Sequence, residues 1–161
     1  SYASFHNEAE LREEAGHMRR MLAAAQLPSD VMGLRVHYLR WSCPDSWQAA
    51  ENAGIQYDST LGFADRAGFR CGICYAYPVF NLKTRQELQL LEQPLIVMDR
   101  SLLCEKYMGL NGAAAFSYMR KLENACRKYQ GDFVILWHTH VFRDPLYRMV
   151  YEKFMAQEDR D

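Results

Sequence analysis

The 161-residue chain lacks the features that mark membrane, secreted or nucleic-acid-binding proteins. No apolar run approaches the roughly 18 residues that a transmembrane helix needs, and the first residues have neither the basic nor the apolar part of a signal peptide. Lysine and arginine number 19 against 20 aspartates and glutamates, which leaves no basic excess for a nucleic-acid backbone. We therefore expect no membrane span, no nucleic-acid partner and a cytoplasmic location.

The cysteine pattern argues against a disulfide framework, because five cysteines are an odd number and are scattered along the chain. Cys71 and Cys74 have the spacing of a redox motif or of half a zinc site. No second Cys-x-x-Cys pair exists to complete a site of four thiolates. We expect free, partly buried thiols.

The composition is that of a globular protein, with 49% hydrophobic and 24% charged residues. We predict a single α/β domain over residues 1–161. The chain opens with a helix that Asn7 caps and that places Leu11, Ala15, Met18 and Leu22 at helical spacing. Since an α/β domain seldom begins with a loop and a helix, we expect the downstream part of a larger domain whose N-terminal strands are missing.

The alternation of residue types over residues 33–41 predicts a strand, with Arg35 and His37 on one face and Val36 and Tyr38 on the other. A short helix over residues 47–53 and a strand over residues 55–60 follow, and this rhythm favours parallel pairing. The remaining elements are a structured loop over 62–81, one or two strands over 88–99 divided at Pro94, a helix over 113–129 and a last helix from Pro145 to about residue 157.

An apolar run over residues 133–137 ends at His138, with His140 two positions later and Trp137 beside it. Such a run describes a central strand that delivers His138 to the rim of a sheet, where α/β proteins keep their sites. The alternative is that both histidines are ordinary polar residues where a strand meets its loop. His6, His17 and His140 are weaker candidates.

The order of several segments along nearly the whole chain resembles the polysaccharide deacetylase superfamily of carbohydrate esterases, and within it a poorly characterised bacterial branch. These segments are residues 33–41, residues 53–63, residues 68–72, residues 94–99 and Leu136-Trp137-His138. The resemblance implies a partial, distorted (β/α) barrel and a metal-dependent hydrolase that removes an acyl group from an amino sugar. The alternative is a non-catalytic carbohydrate-binding or scaffold remnant of that fold.

The resemblance also implies roles for single residues. Arg35 matches an arginine that orients the catalytic aspartate, Asp58 lies where a further acidic residue is expected, and His138 matches the histidine that protonates the leaving amine. Each has a structural alternative. His138 could be bonded to backbone, Arg35 could form a surface ion pair, and Asp58 could cap the turn at Ser59 and Thr60.

The family's acidic pair and metal histidines would fall at or before Ser1, so we expect the ligands of a divalent metal, zinc or similar, to lie partly upstream. His37 stands where the family pattern has proline, and we predict it as a metal ligand, since imidazole suits zinc. Trp137, Tyr38 and Arg70 are the predicted substrate-binding residues, and the expected partner is a carbohydrate.

Overall fold

The computed structural model describes residues 5–28 and 31–158. Five α-helices and six strands lie in these ranges, which confirms the α/β class, and the described strands form no closed barrel. The chain divides into two compact units, Ser1–Leu61 with Ala76–Pro94 and Gly62–Tyr75 with Leu95–Asp161. The prediction of a single domain is not tested by this division. None of the described helices is both long and apolar enough to cross a membrane.

The first unit contains a four-stranded mixed sheet. Its strands are β1 (Gly33–Leu34), β2 (Tyr57–Asp58), β3 (Tyr77–Asn81) and β4 (Gln86–Glu92), arranged in the order β1, β2, β4, β3. β1, β2 and β4 are parallel to one another, whereas β3 is antiparallel to β4. The parallel pairing predicted for β1 and β2 is confirmed.

Two helices belong to the first unit, α1 (Glu8–Ala24) and α2 (Asp45–Asn52). Asn7 caps α1 as predicted, because its side-chain oxygen accepts the backbone N–H of Ala9 at 3.1 Å. Beyond the end of α2, Gly54 has a φ of 75°, a left-handed conformation that glycine adopts without steric cost.

The prediction of a strand over residues 33–41 is wrong beyond Leu34. The chain instead turns through a short 3₁₀ helix, His37–Leu39, in which Tyr38 has a φ of 61°. The reason lies partly in Val36, whose N–H is taken by the Thr60 side-chain oxygen at 2.9 Å. The alternating faces predicted for this segment therefore do not form.

The prediction of a structured loop over residues 62–81 is wrong at the end of that range, where β3 forms a hairpin with β4. Val79 and Asn81 are buried in β3, whereas Pro78 and Phe80 are exposed. This alternation is typical of a strand with one covered face.

The second unit contains β5 (Val97–Met98), α3 (Asp99–Leu103), α4 (Gly112–Lys128), β6 (Ile135–Leu136) and α5 (Pro145–Glu158). β5 and β6 pair in parallel. The two long helices match the predicted ones, and β4 and β5 are the two strands predicted on either side of Pro94. The core of this unit includes Ile96, Val97, Leu102, Ala115, Met119, Val150 and Phe154.

β6 differs from the predicted central strand that leads to His138. It has only two residues, both half-buried, and β5 is its one partner among the described strands. His138 still follows the strand at its carboxyl end, which is the position that the sequence predicts.

All five cysteines are free, as predicted. Cys74 and Cys126 are buried in the core of the second unit, whereas Cys43 is exposed. Burial, reinforced by the neighbouring Cys74, raises the pKa of Cys126 to about 12. This thiol is therefore protonated and unreactive at neutral pH.

We predict that Gly131→Ala destabilises the chain. A Cβ at Gly131 would lie 2.7 Å from the backbone oxygen of Cys74, and backbone cannot give way as a side-chain end can. The expected loss is about 1–3 kcal/mol, measured by urea unfolding followed by circular dichroism. The matched control is Gly16→Ala, inside α1, where the nearest atom lies at 3.5 Å and a gain of about 0.5–1 kcal/mol is expected. A Gly131→Ala chain as stable as the wild type would contradict the prediction.

Candidate functional site

Asp99 and His138 meet at the carboxyl ends of β5 and β6. Met98 and Leu136 are direct partners in the parallel ladder, so the residues that follow them lie at the same edge. The His138 ring nitrogen Nδ1 lies 2.7 Å from Asp99 Oδ1, and the backbone N–H of His138 donates to Asp99 Oδ2 at 2.7 Å. A third donor, the N–H of Arg100, lies 2.6 Å from Asp99 Oδ1.

Burial differs sharply between the two partners. Asp99 is fully covered, whereas the His138 side chain is 26% exposed. A covered carboxylate that binds both the backbone and the ring of one histidine fixes the orientation of the imidazole. With Nδ1 bonded to Asp99, proton transfer to or from a ligand falls to Nε2. The His138 ring is therefore bonded to a carboxylate, whereas its structural alternative predicted a bond to backbone.

Trp137 and His140 are the aromatic-ring neighbours of His138 along the chain. Trp137 is half-buried with its ring centroid 5.5 Å from that of Tyr151, and the ring of His140 lies 5.4 Å from that of His138. Burial raises the pKa of Tyr147, and the charges of Cys104 and Asp99 raise it further.

Arg70, a predicted substrate-binding residue, also belongs to the second unit. Its side chain is exposed and its Nη1 donates to the backbone oxygen of Gly62 at 3.0 Å. That bond anchors the arginine to its own loop, and its role toward a substrate stays a prediction.

In the first unit, Asp58 and Glu92 form a buried carboxyl pair at the carboxyl ends of β2 and β4. The two residues are direct partners in the parallel ladder and are 2% and 0% exposed. Thr60 Oγ1 donates to Asp58 at 2.5 Å. Glu92 accepts the N–H of Leu61 at 3.0 Å and Nε1 of Trp47 at 3.2 Å.

Burial dominates the titration of this pair. It raises the pKa of Asp58 to about 6, against opposing hydrogen bonds from Thr60 and Ser59. It raises the pKa of Glu92 to about 8, and the charge of Asp58 adds to that effect. At neutral pH the pair therefore holds one proton.

Arg35 and Asp58, two predicted catalytic residues, lie in the same polar cluster. Arg35 donates through Nε to the backbone oxygen of Ser59 at 2.9 Å and through Nη2 to its hydroxyl at 2.7 Å. Burial lowers the pKa of Arg35, and the charges of Asp58 and Glu92 oppose that effect. Asp58 also accepts a hydrogen bond from the Thr60 hydroxyl, in the turn that its structural alternative names. The catalytic roles of both residues stay predictions.

The predicted metal ligand His37 and the predicted substrate-binding Tyr38 are exposed on the 3₁₀ turn, with their rings stacked at 4.4 Å. Within residues 5–28 and 31–158, no three His, Cys, Asp or Glu side chains form a group that could hold a metal ion. The divalent metal that the resemblance implies, with ligands expected partly upstream of Ser1, stays a prediction, and no step proposed below passes through it.

No family model matches this chain, and neither a curated protein nor a solved structure matches it. The residues themselves must carry the functional argument. Two of them, Asp99 and Glu92, were missed as site residues from sequence. Asp99 ends the apolar segment over residues 95–98 as His138 ends its own, and that shared pattern is the signal that could have found it. Glu92 follows a segment in which polar and apolar residues alternate, which gives no such signal.

We predict that Asp99→Asn changes the tautomer of the neutral His138 ring. In the wild type the carboxylate favours hydrogen on Nδ1, whereas an asparagine amide can present either an acceptor or a donor. Nitrogen NMR of the ring at alkaline pH should show a single Nδ1–H form in the wild type and a mixture in the variant. Identical spectra would mean that Asp99 does not set the tautomer.

Proposed function

We propose that the chain is a hydrolase of the polysaccharide deacetylase type, which removes an acyl group from an amino sugar, with His138 as its proton-transferring group. The observation that supports this proposal is the double hydrogen bond from His138 to the buried Asp99. The order of segments that resembles the deacetylases supports the substrate class. A partial barrel of the deacetylase type is part of the same proposal.

The proposed chemistry concerns the leaving group. When water has added to the carbonyl carbon of an amide, the amine departs only if its nitrogen receives a proton. His138 would give that proton from Nε2, while Asp99 keeps Nδ1 protonated and stabilises the charged imidazolium. General acid catalysis of this kind contributes about 10²–10⁴-fold to a rate.

The proposed sugar-binding residues are Trp137 and Arg70 in the second unit and Tyr38 in the first unit. An aromatic face such as that of Trp137 can pack on the apolar face of a pyranose ring, and a guanidinium can donate to hydroxyl groups. The roles of Arg35, Asp58 and a zinc-type ion belong to the proposal as predictions. An unchanged metal content in His37→Ala would end the idea that His37 is a ligand.

We predict that His138→Gln lowers acetate release from N-acetylated amino-sugar oligomers by about 10²–10⁴-fold, because the proton donor is lost. Asp99→Asn should lower it less, since the imidazole remains. The assay measures acetate from the purified chain with and without added zinc. His17→Gln, which changes an exposed histidine on α1, is the matched control and should leave the rate unchanged.

The same oligomers distinguish the hydrolase from the alternative function. If calorimetry shows that the chain binds the oligomers but no acetate is released under any condition, the non-catalytic carbohydrate-binding module is favoured. Acetate release that His138→Gln does not affect would contradict the assigned role of His138. Absence of both binding and release would overturn the carbohydrate proposal.

A further inference from the structure

The Asp58–Glu92 pair has no role in the proton transfer proposed for His138. Its geometry points to a different role. We propose that it is a pH-sensitive latch of the first unit, closed while one proton lies between the two carboxyl groups and opened when that proton is lost at alkaline pH. The inference does not depend on the proton transfer assigned to His138, because it uses neither His138 nor Asp99. Asp58 also has a predicted catalytic role in the proposed hydrolase, so the experiment below measures stability and not activity.

The latch needs a proton because of where the sheet places the two groups. Asp58 and Glu92 are opposite each other on adjacent parallel strands, so their side chains lie on the same face. Both are almost fully buried. Two buried carboxylates on directly paired residues would repel each other, so the fold favours the state in which one of them holds a proton.

The surrounding hydrogen bonds indicate which group carries it. Thr60 Oγ1 accepts the N–H of Val36 at 2.9 Å and directs its own hydrogen to Asp58 at 2.5 Å. This bond is stronger when Asp58 is ionised, so it favours the carboxylate form of Asp58. The proton is therefore assigned to Glu92, whose pKa is the higher of the two.

Among the described residues, Arg35 is a cation whose charge interacts with both carboxyl groups, and it can balance a single negative charge. Glu51 on α2, another acid of the adjoining elements, accepts the N–H of Leu90 at 3.0 Å on β4. The other titratable groups on the neighbouring strands, α2 and the turn after β1 are Tyr57, Tyr77, Glu87, Asp45, His37, Tyr38 and Arg40.

The direction of the pH effect follows from the raised pKa of Glu92, which burial and then the charge of Asp58 bring to about 8. An unfolded glutamate has a pKa of about 4. Between these values the folded chain holds a proton that the unfolded chain has released. The stabilisation is complete at acid pH and is lost as the pH rises to about 8.

Opening the latch affects the residues that Glu92 joins. Its carboxyl group binds Leu61, after β2, and Trp47 on α2, so it connects three segments of the first unit. Separation of Glu92 from Asp58 would shift this network, and Trp47 would report the shift through its fluorescence.

The experiment is urea unfolding of the complete chain between pH 6 and pH 9, followed by tryptophan fluorescence. The folding constant of the wild type should fall by up to about tenfold per pH unit until Glu92 is ionised. Glu92→Gln keeps the shape and a donor but does not titrate, and its folding constant should be nearly flat over this range. Trp47→Phe identifies the fluorescence change that arises at the latch.

Two further variants keep the proposal testable if Glu92→Gln folds poorly. Asp58→Asn removes a charge that raises the pKa of Glu92, so the alkaline loss should move to lower pH. Glu123→Gln is the matched control, because Glu123 is buried on α4 but bound to Arg120 and Arg127. That variant should keep the pH-dependent loss. A Glu92→Gln profile that falls like the wild type, or an Asp58→Asn profile that does not move, would overturn the proposal.

Discussion

Burial of carboxyl groups at the carboxyl ends of parallel strands is the constraint that organises both units. A carboxylate taken out of water must be paired, hydrogen-bonded or protonated, because its desolvation otherwise exceeds what a marginally stable fold can bear. Asp99 is satisfied by three N–H donors, one of them a histidine ring. Glu92 accepts two N–H donors and, in the proposed latch, holds a proton beside Asp58.

The same constraint has opposite chemical results in the two units. In the second unit the acid is hidden and the histidine that it holds is accessible, which is the arrangement of a group that exchanges protons with a ligand. In the first unit both acids are hidden, and the proton that we assign to the pair acts on the stability of that unit. The first arrangement suits catalysis, whereas the second suits a response of the fold to pH.

Sequence reasoning worked best where a single local pattern decides the structure. The cap at Asn7, the helix before Gly131 and the strand that ends before His138 depend on residues close together in the chain. It failed where a distant group intervenes. The predicted strand over residues 33–41 stops early because the N–H of Val36 bonds a threonine 24 positions away, which no local periodicity can reveal.

By itself the sequence determined the α/β class, most helices, the free thiols and the position of His138 at the end of a strand. These follow from apolar spacing, capping residues and cysteine number, which act over a few residues. Only the tertiary structure decided that His138 pairs with Asp99 and that Asp58 pairs with Glu92. Those pairings depend on strand register, which brings together residues 39 and 34 positions apart, and register is set by the packing of the whole unit.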